Sequence, residues 1–254
     1  AFTGSTEVGR YFLKYAAESN GKSVSLELGG KTPQIVLSDC ADLDAAASAI
    51  AWGVFYNSGQ TCHAGTRLVV EKAVEEELLE KITQVAKSIQ PGDPYDPTTA
   101  MGTIVDKTQF ERVLGYIDIG KKEGAKIFSG GDKTEPVKNG VFIQPTVFQN
   151  VKPGMRIERE EIFGPVLSVL TFRTPSEAIE KANNSMYGLS AGIWSEKGSR
   201  TLWASQQLRA GVIWANTFNK FDPTSPFGGY KESGWGREGG RHGLSAYLKG
   251  VSHE

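Results

Sequence analysis

Strand-like and helix-like segments alternate along the whole chain, and this alternation limits the possible folds more than any other feature. Residues 23–28 and 66–71 show the short, alternating apolar pattern that is typical of strands. Residues 73–89 and 106–126 repeat apolar side chains at helical spacing. Regular alternation of the two kinds of segment predicts an α/β fold in which right-handed crossovers connect the strands.

Charge and hydropathy exclude several classes of partner. The chain has 28 basic and 29 acidic residues, so its net charge of -1 provides no positive field for nucleic acid. The longest nearly apolar run, residues 49–56, is too short to span a bilayer. The first residues also lack the charged and then apolar pattern of a secretory leader. We therefore expect no nucleic-acid partner, no membrane partner and no secretion.

Cysteines and histidines are scarce, which argues against disulfides and metal sites. Cys40 and Cys62 cannot form a disulfide framework, and this fits a reducing cytoplasm. Three histidines, His63, His242 and His253, make a zinc site improbable. We predict a cytoplasmic location and no metal. The 30 glycines, well above the average of roughly 7%, indicate tight turns or close approach of the backbone to a ligand.

Cys62 lies in a short polar bend, NSGQTCHAG at residues 57–65, whereas core cysteines usually lie among apolar neighbours. The helix predicted over 42–57 leads directly to this bend, and its apolar residues on nearly every side predict burial. A reactive cysteine needs a nearby base or a field that lowers its pKa. Adjacent side chains on an extended or turning chain usually point apart, so His63 is a poor candidate for that base. Backbone N–H groups of the turn, or a cationic ring of a bound ligand, could supply the field instead. Cys40 is interpreted as packing at the entry of a helix.

Four further stretches carry polar groups that have both a functional and a structural interpretation. GSTEVG at 4–9 either binds an anion at a helix N-terminus or simply caps that helix, and capping is favoured. Glu27, near the carboxyl end of a strand, is either a site residue or a surface carboxylate. Residues 158–166 place three carboxylates before a strand. Residues 216–240 form a glycine- and aromatic-rich loop that either shapes a pocket or lies on the surface.

Together these stretches resemble a known family. FTGSTEVG, LELGGK, GQTC, EEIFGPV and SPFGGYKESGWGRE occur in the order and rough spacing of the NAD(P)-dependent aldehyde dehydrogenase superfamily. Five motifs in register make the resemblance specific, and it extends from residue 2 to about residue 248. It implies a catalytic domain with an open, mostly parallel sheet, and the C-terminal remnant of a Rossmann-like cofactor domain. The implied boundaries are 1–30 for the remnant, 31–242 for the catalytic domain, and 243–254 for a segment that leads toward the oligomerisation region.

The resemblance also implies a role for each matching residue. Cys62 matches the catalytic nucleophile, and Glu27 matches the general base. The cofactor-binding positions are Gly4 and Ser5 beside the phosphates, Leu28 and Gly29 as backbone on the nicotinamide side, Glu161 at the nicotinamide ribose, Phe163 beside the ring, and Gln109 as a further contact. Phe221 and Phe227 match aromatic walls of the aldehyde pocket.

The chemistry implied by the resemblance is oxidation of an aldehyde to a carboxylic acid. The Cys62 thiolate forms a thiohemiacetal, which loses a hydride to the nicotinamide of NAD, or of NADP as an alternative. Water deprotonated by Glu27 then hydrolyses the thioester. The implied partners are a small aldehyde substrate and, in the full-length protein, further copies of the same chain.

Two other functions are considered, and both depend on what this sequence lacks. In a CoA-acylating enzyme a thiol resolves the thioester, but Glu27 would then have no water to activate. In a non-catalytic fragment the chain would act only by assembly. The sequence starts at Ala1, at what looks like the end of a strand, and does not contain the family's first half. We therefore expect it to be a piece of a longer protein that is inactive by itself.

Overall fold

The computed structural model describes residues 1–248, and its helices and strands alternate as the sequence predicts. The helices in chain order are α1 (Thr6–Glu18), α2 (Leu43–Phe55), α3 (Glu75–Ala86), α4 (Lys107–Lys122), α5 (Arg156–Arg159), α6 (Pro175–Asn183), α7 (Gly198–Gln207) and α8 (Gly240–Ser245). The strands in chain order are β1 (Phe2–Thr3), β2 (Leu26–Glu27), β3 (Pro33–Val36), β4 (Arg67–Glu71), β5 (Lys126–Ser129), β6 (Lys133–Thr134), β7 (Phe142–Ile143), β8 (Thr146–Gln149), β9 (Val166–Phe172), β10 (Tyr187–Gly188), β11 (Ser190–Trp194), β12 (Val212–Ala215), β13 (Tyr230–Lys231) and β14 (Gly234–Trp235).

A seven-stranded sheet forms the centre of the fold, in the order β12-β11-β3-β4-β9-β8-β5. All neighbouring strands in it are parallel except β5, which runs antiparallel to β8 at one edge. Helices connect the parallel strands, because parallel neighbours need a long crossover. The predicted α/β class with an open, mostly parallel sheet is confirmed.

Apolar side chains cover both faces of this sheet. Alternate residues of β4 pack to opposite sides: Leu68 contributes to a core with α2 and α3, and Val69 contributes to a core with α6 and α7. A third cluster lies between α4 and the β8–β9 edge, around Phe148 and Val166. Burial on both faces is why the central strands read as continuous apolar runs in the sequence.

The helix that leads to Cys62 is less buried than its composition predicts. One side of α2, which includes Ile50 and Val54, packs into the core. Trp52 on the other side is 41% exposed, and Tyr56 just beyond the helix is 57% exposed. The expectation of burial nearly all round is therefore wrong, since these aromatic side chains border an open groove.

The first residues form a separate small sheet. β2 pairs in parallel with β1 and antiparallel with β14, so a strand from far along the chain joins the N-terminal segment. The strand predicted over 23–28 contains only Leu26–Glu27, because β1 offers it just two residues for pairing. The division into domains stays a prediction. Its last boundary, at residue 242, falls inside α8, and residues 249–254 lie outside the described part.

Candidate active site

A left-handed bend carries the chain from α2 to Cys62. Asn57, Ser58 and Gly59 follow one another at φ values of 51°, 57° and 69°. Glycine and asparagine tolerate this conformation, and Ser58 is held in it by a hydrogen bond of 2.8 Å from its Oγ to the Gly102 carbonyl oxygen. The polar bend predicted from the sequence is therefore present, and it turns the chain sharply before the cysteine.

Glycines allow three segments to meet around Cys62. A methyl group on Gly30, just after β2, would overlap the Cys62 carbonyl oxygen. A methyl group on Gly59 would overlap the Gly164 carbonyl oxygen, and one on Gly29 would meet the Glu161 carboxylate. Only glycine permits such contacts without displacing backbone.

The meeting point is a cleft of about 280 Å³ that gathers most of the predicted site. Its lining comes from separate segments between β1 and the turn before β9: Thr3, Gly4, Ser5, Gly29, Cys62, Gln109, Arg112, Glu161 and Phe163. Every predicted cofactor position except Leu28 is in this set. Leu28 packs its side chain against Gly9, and its N–H donates to the Ser233 carbonyl oxygen at 2.9 Å.

The turn at the start of α1 shows the capping role that the sequence favours. Ser5 is the N-cap, and its Oγ accepts a hydrogen bond of 3.3 Å from the Val8 N–H. The Gly4 N–H donates to the Glu27 carbonyl oxygen at 3.0 Å, which joins this turn to β2. The cap lies at the cleft, so the helix N-terminus also borders the candidate site.

Glu161 is fixed between two segments. Its Oε1 accepts a hydrogen bond of 2.9 Å from the Gly30 N–H, and its carbonyl oxygen accepts one of 2.9 Å from Arg112 Nη2. Burial raises the pKa of this carboxyl, while the Gly30 hydrogen bond and the charges of Arg112 and Lys31 oppose that rise. The Glu161 carboxylate therefore lies in the cleft with its negative charge only partly balanced by its surroundings.

Gln109 fixes the backbone that follows Glu161. Its Nε2 donates to the carbonyl oxygens of Ile162 and Phe163 at 2.9 and 2.8 Å. Phe163 has a φ of 58°, an uncommon conformation for a bulky residue. Gln109 thus maintains a strained turn that presents the Phe163 ring to the cleft.

Glu27 is buried, which is inconsistent with a surface carboxylate. The residue is 4% exposed, and neither of its carboxylate oxygens has a hydrogen-bond partner among residues 1–248. Burial, together with the charge of the nearby Glu238, raises the pKa of Glu27 to about 7, and the charge of Arg237 opposes that rise. A carboxyl group with this pKa exchanges protons readily near neutral pH, which suits a general base.

The turn by itself does not activate the Cys62 thiol. Burial, together with the charges of Glu161 and Glu27, raises the pKa of this thiol to about 11. Backbone hydrogen bonds at Cys62 and His63 act in the opposite direction but contribute less. The thiol is therefore protonated at neutral pH. Cys40 packs against the core beside α2, as predicted.

The expectation that His63 points away from Cys62 is wrong. Cys62 and His63 lie in a turn whose particular angles bring the two side chains together instead of apart. His63 Nδ1 is 3.9 Å from Cys62 Sγ, and its Nε2 is 2.8 Å from Asn219 Oδ1. The sequence gives no direct sign of this contact, because it depends on the angles of a single turn and on a loop 156 residues away.

A cluster of aromatic rings lies around His63. The rings of Phe221 and Phe227, both predicted as pocket walls, lie 5.3 Å apart. His63 is 5.0 Å from the Phe221 ring, and Trp214 and Phe218 extend the same cluster. Trp214 and Phe218 were not predicted as site residues. Trp214 lies in β12, just ahead of the aromatic loop at 216–240, and Phe218 lies within that loop, so their closeness to the loop is the signal that could have identified them.

A groove of about 540 Å³ adjoins this aromatic cluster. α2 and the segment after β12 form its sides, and its lining includes Trp52, Tyr56, Phe218 and Asn219. Trp52 and Tyr56 were likewise not predicted as site residues. The groove gives the aromatic cluster an open, partly apolar approach from solvent.

Residues 1–248 contain no group of three or more His, Cys, Asp or Glu side chains placed to hold a metal ion. Over the same residues, each helix is too short or too polar to cross a bilayer.

The sequence and the fold match the aldehyde dehydrogenase family. The model of the aldehyde dehydrogenase family covers residues 1–251. The chain therefore belongs to the aldehyde dehydrogenase family, as its motifs predict.

Individual relatives agree with this assignment. The mitochondrial aldehyde dehydrogenase of Homo sapiens is 49% identical over 249 residues, which are 98% of this chain and 48% of that protein. The crystal structure of an indole-3-acetaldehyde dehydrogenase complexed with NAD+ has a TM-score of 0.95 and 44% identity, over 97% of this chain and 50% of that one. The gamma-glutamyl-gamma-aminobutyraldehyde dehydrogenase of Burkholderia cenocepacia J2315 has a TM-score of 0.94 and 47% identity, over 96% and 50%. The chain spans about half the length of these relatives.

Proposed function

We propose that the intact protein oxidises an aldehyde to a carboxylic acid with NAD(P)+, using Cys62 as the nucleophile and Glu27 as the general base. The observation that carries the proposal is the position of the Cys62 thiol, at the cleft and within the electrostatic influence of two carboxyl groups, Glu27 and Glu161. An isolated thiol in a cleft with a carboxyl group of pKa about 7 nearby fits covalent catalysis followed by hydrolysis.

Cys62 performs the first step. Its sulfur bonds to the carbonyl carbon of the aldehyde, its proton leaves, and a thiohemiacetal results. Because burial keeps the thiol protonated at neutral pH, the attack requires a group that removes the proton. Oxidation of the thiohemiacetal leaves a thioester on Cys62.

Glu27 performs the last step. Its two carboxylate oxygens have no hydrogen-bond partner among the described residues, so they are free to accept a proton from water. With a pKa of about 7, a large fraction of this carboxyl group is ionised at neutral pH. The oxygen of the deprotonated water bonds to the thioester carbon, and the C–S bond breaks. The carboxylic acid is released, and the Cys62 sulfur regains its proton from Glu27.

The cleft fits the nicotinamide end of a dinucleotide. Gly29 has no side chain to fill the space beside Glu161, the Glu161 carboxylate can accept from ribose hydroxyls, and Phe163 supplies a flat apolar ring. Gly4 and Ser5 place the N-terminus of α1 where a phosphate would be stabilised. When bound, NAD(P)+ supplies the acceptor for the hydride that leaves the thiohemiacetal. The NAD+ complex of the indole-3-acetaldehyde dehydrogenase favours NAD.

The substrate is proposed to be a small aldehyde with an apolar or aromatic part. Phe221 and Phe227 face the His63 ring, and Trp214 and Phe218 extend the apolar wall. The groove beside Trp52 offers the route of entry. We further propose a homo-oligomer for the intact protein; the human relative is described as mitochondrial, and the cytoplasmic location stays a prediction.

Turnover of the intact protein with aldehyde and NAD+ tests this function. We expect NADH and carboxylic acid in equal amounts, in a reaction that does not require coenzyme A. Cys62→Ala should abolish NADH formation without unfolding the protein, whereas Cys40→Ala, the matched control, should retain it. NADH formation near the original rate in Cys62→Ala, or a strict requirement for coenzyme A with an acyl-CoA product, would contradict the proposal.

A further inference from the structure

The mechanism above leaves one step without a group to perform it. The Cys62 thiol has to lose a proton as its sulfur attacks, yet burial and two nearby carboxylates hold that proton in place. Glu27 is assigned to the water of the last step. A basic nitrogen, His63 Nδ1, lies 3.9 Å from Cys62 Sγ.

Asn219 sets the tautomer of His63. The Asn219 Oδ1 can only accept, and it lies 2.8 Å from His63 Nε2, so Nε2 carries the proton of the neutral imidazole. Nδ1 is then the acceptor, and it faces the thiol. Asn219 itself has a φ of 58°, a left-handed conformation in which asparagine is enriched, so the loop is built to hold this amide in place.

We propose that His63 accepts the proton of the Cys62 thiol as the sulfur bonds to its electrophile, and that Asn219 is the positioning residue that fixes the His63 tautomer. In this step the S–H bond breaks, Nδ1 gains the proton, and the sulfur electron pair forms the new C–S bond while the π electron pair of the aldehyde C=O bond moves to its oxygen. The imidazolium keeps its Nε2 hydrogen bond to Asn219. A neighbouring asparagine that orients the histidine of a cysteine–histidine pair is an established catalytic arrangement.

The surroundings of His63 keep it neutral before the reaction. Aromatic rings of Trp214, Phe218, Phe221 and Phe227 border the imidazole. Burial in this cluster lowers the pKa of His63, and the hydrogen bond to Asn219 partly opposes that effect. The charged groups that face the sulfur are Glu161 and Glu27. A distance of 3.9 Å is long for a proton transfer, but such contacts commonly shorten when the reacting groups are bound.

Alkylation of Cys62 by iodoacetamide tests the role of His63 without requiring dehydrogenase activity, although the inference takes Cys62 as nucleophile from the proposed function. The rate is measured against pH in the intact protein without cofactor, by mass spectrometry of the Cys62 peptide. Since neutral His63 is the base, we expect the rate to rise to a plateau as His63 loses its proton, at a lower pH than an ordinary imidazole because its pKa is lowered. The rate should rise again only as the thiol itself ionises at high pH.

His63→Phe keeps the aromatic volume and removes the base. We expect it to lose the plateau, so that the rate climbs about tenfold for each pH unit until the thiol ionises, and to be at least about tenfold slower at pH 7. Asn219→Asp places a carboxylate on Nε2 and raises the His63 pKa, so the lower edge of the plateau should move to higher pH. His242→Phe, the same change at an exposed position in α8, is the matched control and should keep the original profile.

The outcomes separate the two proposals. A plateau that persists in His63→Phe, or a lower edge that does not move in Asn219→Asp, would overturn the role of His63. Since Asn219→Asp leaves the imidazole and its packing in place, this second result does not depend on how well His63→Phe folds. A plateau that depends on His63 in a protein that forms no NADH with any aldehyde would support the role of His63 and refute the dehydrogenase function.

Discussion

Gly59 lies so close to Gly164 that a methyl group on Gly59 would overlap the Gly164 carbonyl oxygen. This contact joins the bend before Cys62 to the segment that carries Glu161. It also explains why Gly59 is left-handed, since the φ of 69° is what turns the chain away from α2. This contact is one of several that set the position of the Cys62 bend relative to the cleft.

Gly59→Ala should destabilise the protein by about 2 kcal/mol or more. Forcing an L-residue into the left-handed region costs roughly 1–2 kcal/mol, and the overlap with Gly164 adds to it. The decrease is measured by denaturant unfolding. Gly115→Ala is the control, because Gly115 lies within α4 with open space around its Cα, and alanine there should stabilise by up to about 1 kcal/mol. Equal stabilities for the two variants would show that the Gly59–Gly164 contact is unimportant.

Arg67→Met should cost about 3–5 kcal/mol, because it leaves a buried charge without its partner. The Arg67 side chain is 1% exposed and lies 3.4 Å from the Glu158 carboxylate, and it also donates to the carbonyl oxygens of Lys31, Lys181 and Ala182. The control is Lys107→Ala, which removes an exposed ion pair and should change the free energy of unfolding by at most about 0.5 kcal/mol. A double variant, Arg67→Met with Glu158→Gln, should recover part of the loss.

The sequence predicts the order of strands and helices well, because that order follows from the apolar periodicity of each segment. It also predicts that Cys62 and Glu161 come together, because each lies within a motif of the same family, GQTC and EEIFGPV. Apolar periodicity cannot distinguish neighbouring carboxylates, and only the family motif singles out Glu161. Glu158 is buried as a partner of Arg67 while Glu161 faces the cleft, because the angles of the intervening turn point the two side chains in different directions. The contact between Cys62 and His63 escapes prediction for the same reason.

Glu27→Gln should separate the two chemical steps of the proposed reaction. Only the hydrolysis of the thioester needs a base for water, so the first turnover should remain fast while the steady state slows by about 10²–10⁴-fold. Stopped-flow absorbance should then show a burst of NADH, and intact mass spectrometry should show an acyl group on Cys62. In the unaltered protein the hydrolytic rate should rise with pH through about 7, as Glu27 ionises. Loss of the burst in Glu27→Gln would give Glu27 a different role.

Glu161→Gln should have opposite effects on the thiol and on the cofactor. The Glu161 charge raises the pKa of Cys62, so its removal should lower that pKa and speed alkylation of Cys62 at pH 8. The amide oxygen still accepts the hydrogen bond from the Gly30 N–H, so the loop should keep its place. Hydrogen bonds to a charged acceptor contribute roughly 1.5–3 kcal/mol each, so NAD+ should bind more weakly by calorimetry. If both alkylation and NAD+ affinity are unchanged, Glu161 does not face the site in solution.

The raised pKa of Glu27 also predicts how stability depends on pH. In the unfolded chain the carboxyl group ionises near its ordinary pKa of 4.5, whereas in the folded protein it ionises at about 7. The unfolded state therefore binds fewer protons than the folded state between these values, and stability falls as pH rises from 4.5 to 7.

Glu27→Gln removes this group, so the variant should lose less stability over the interval and melt at a higher temperature than the unaltered protein at pH 8. The difference is on the order of 1–3 kcal/mol, and it should vanish at pH 4. Thermal unfolding at pH 4, 6 and 8 measures it, with Glu111→Gln on the exposed side of α4 as the matched control that should show no such trend. A Glu27→Gln variant that is less stable than the unaltered protein at pH 8 would mean that the ionised carboxylate has a stabilising partner in solution, and the assignment of Glu27 as a free base would have to be abandoned.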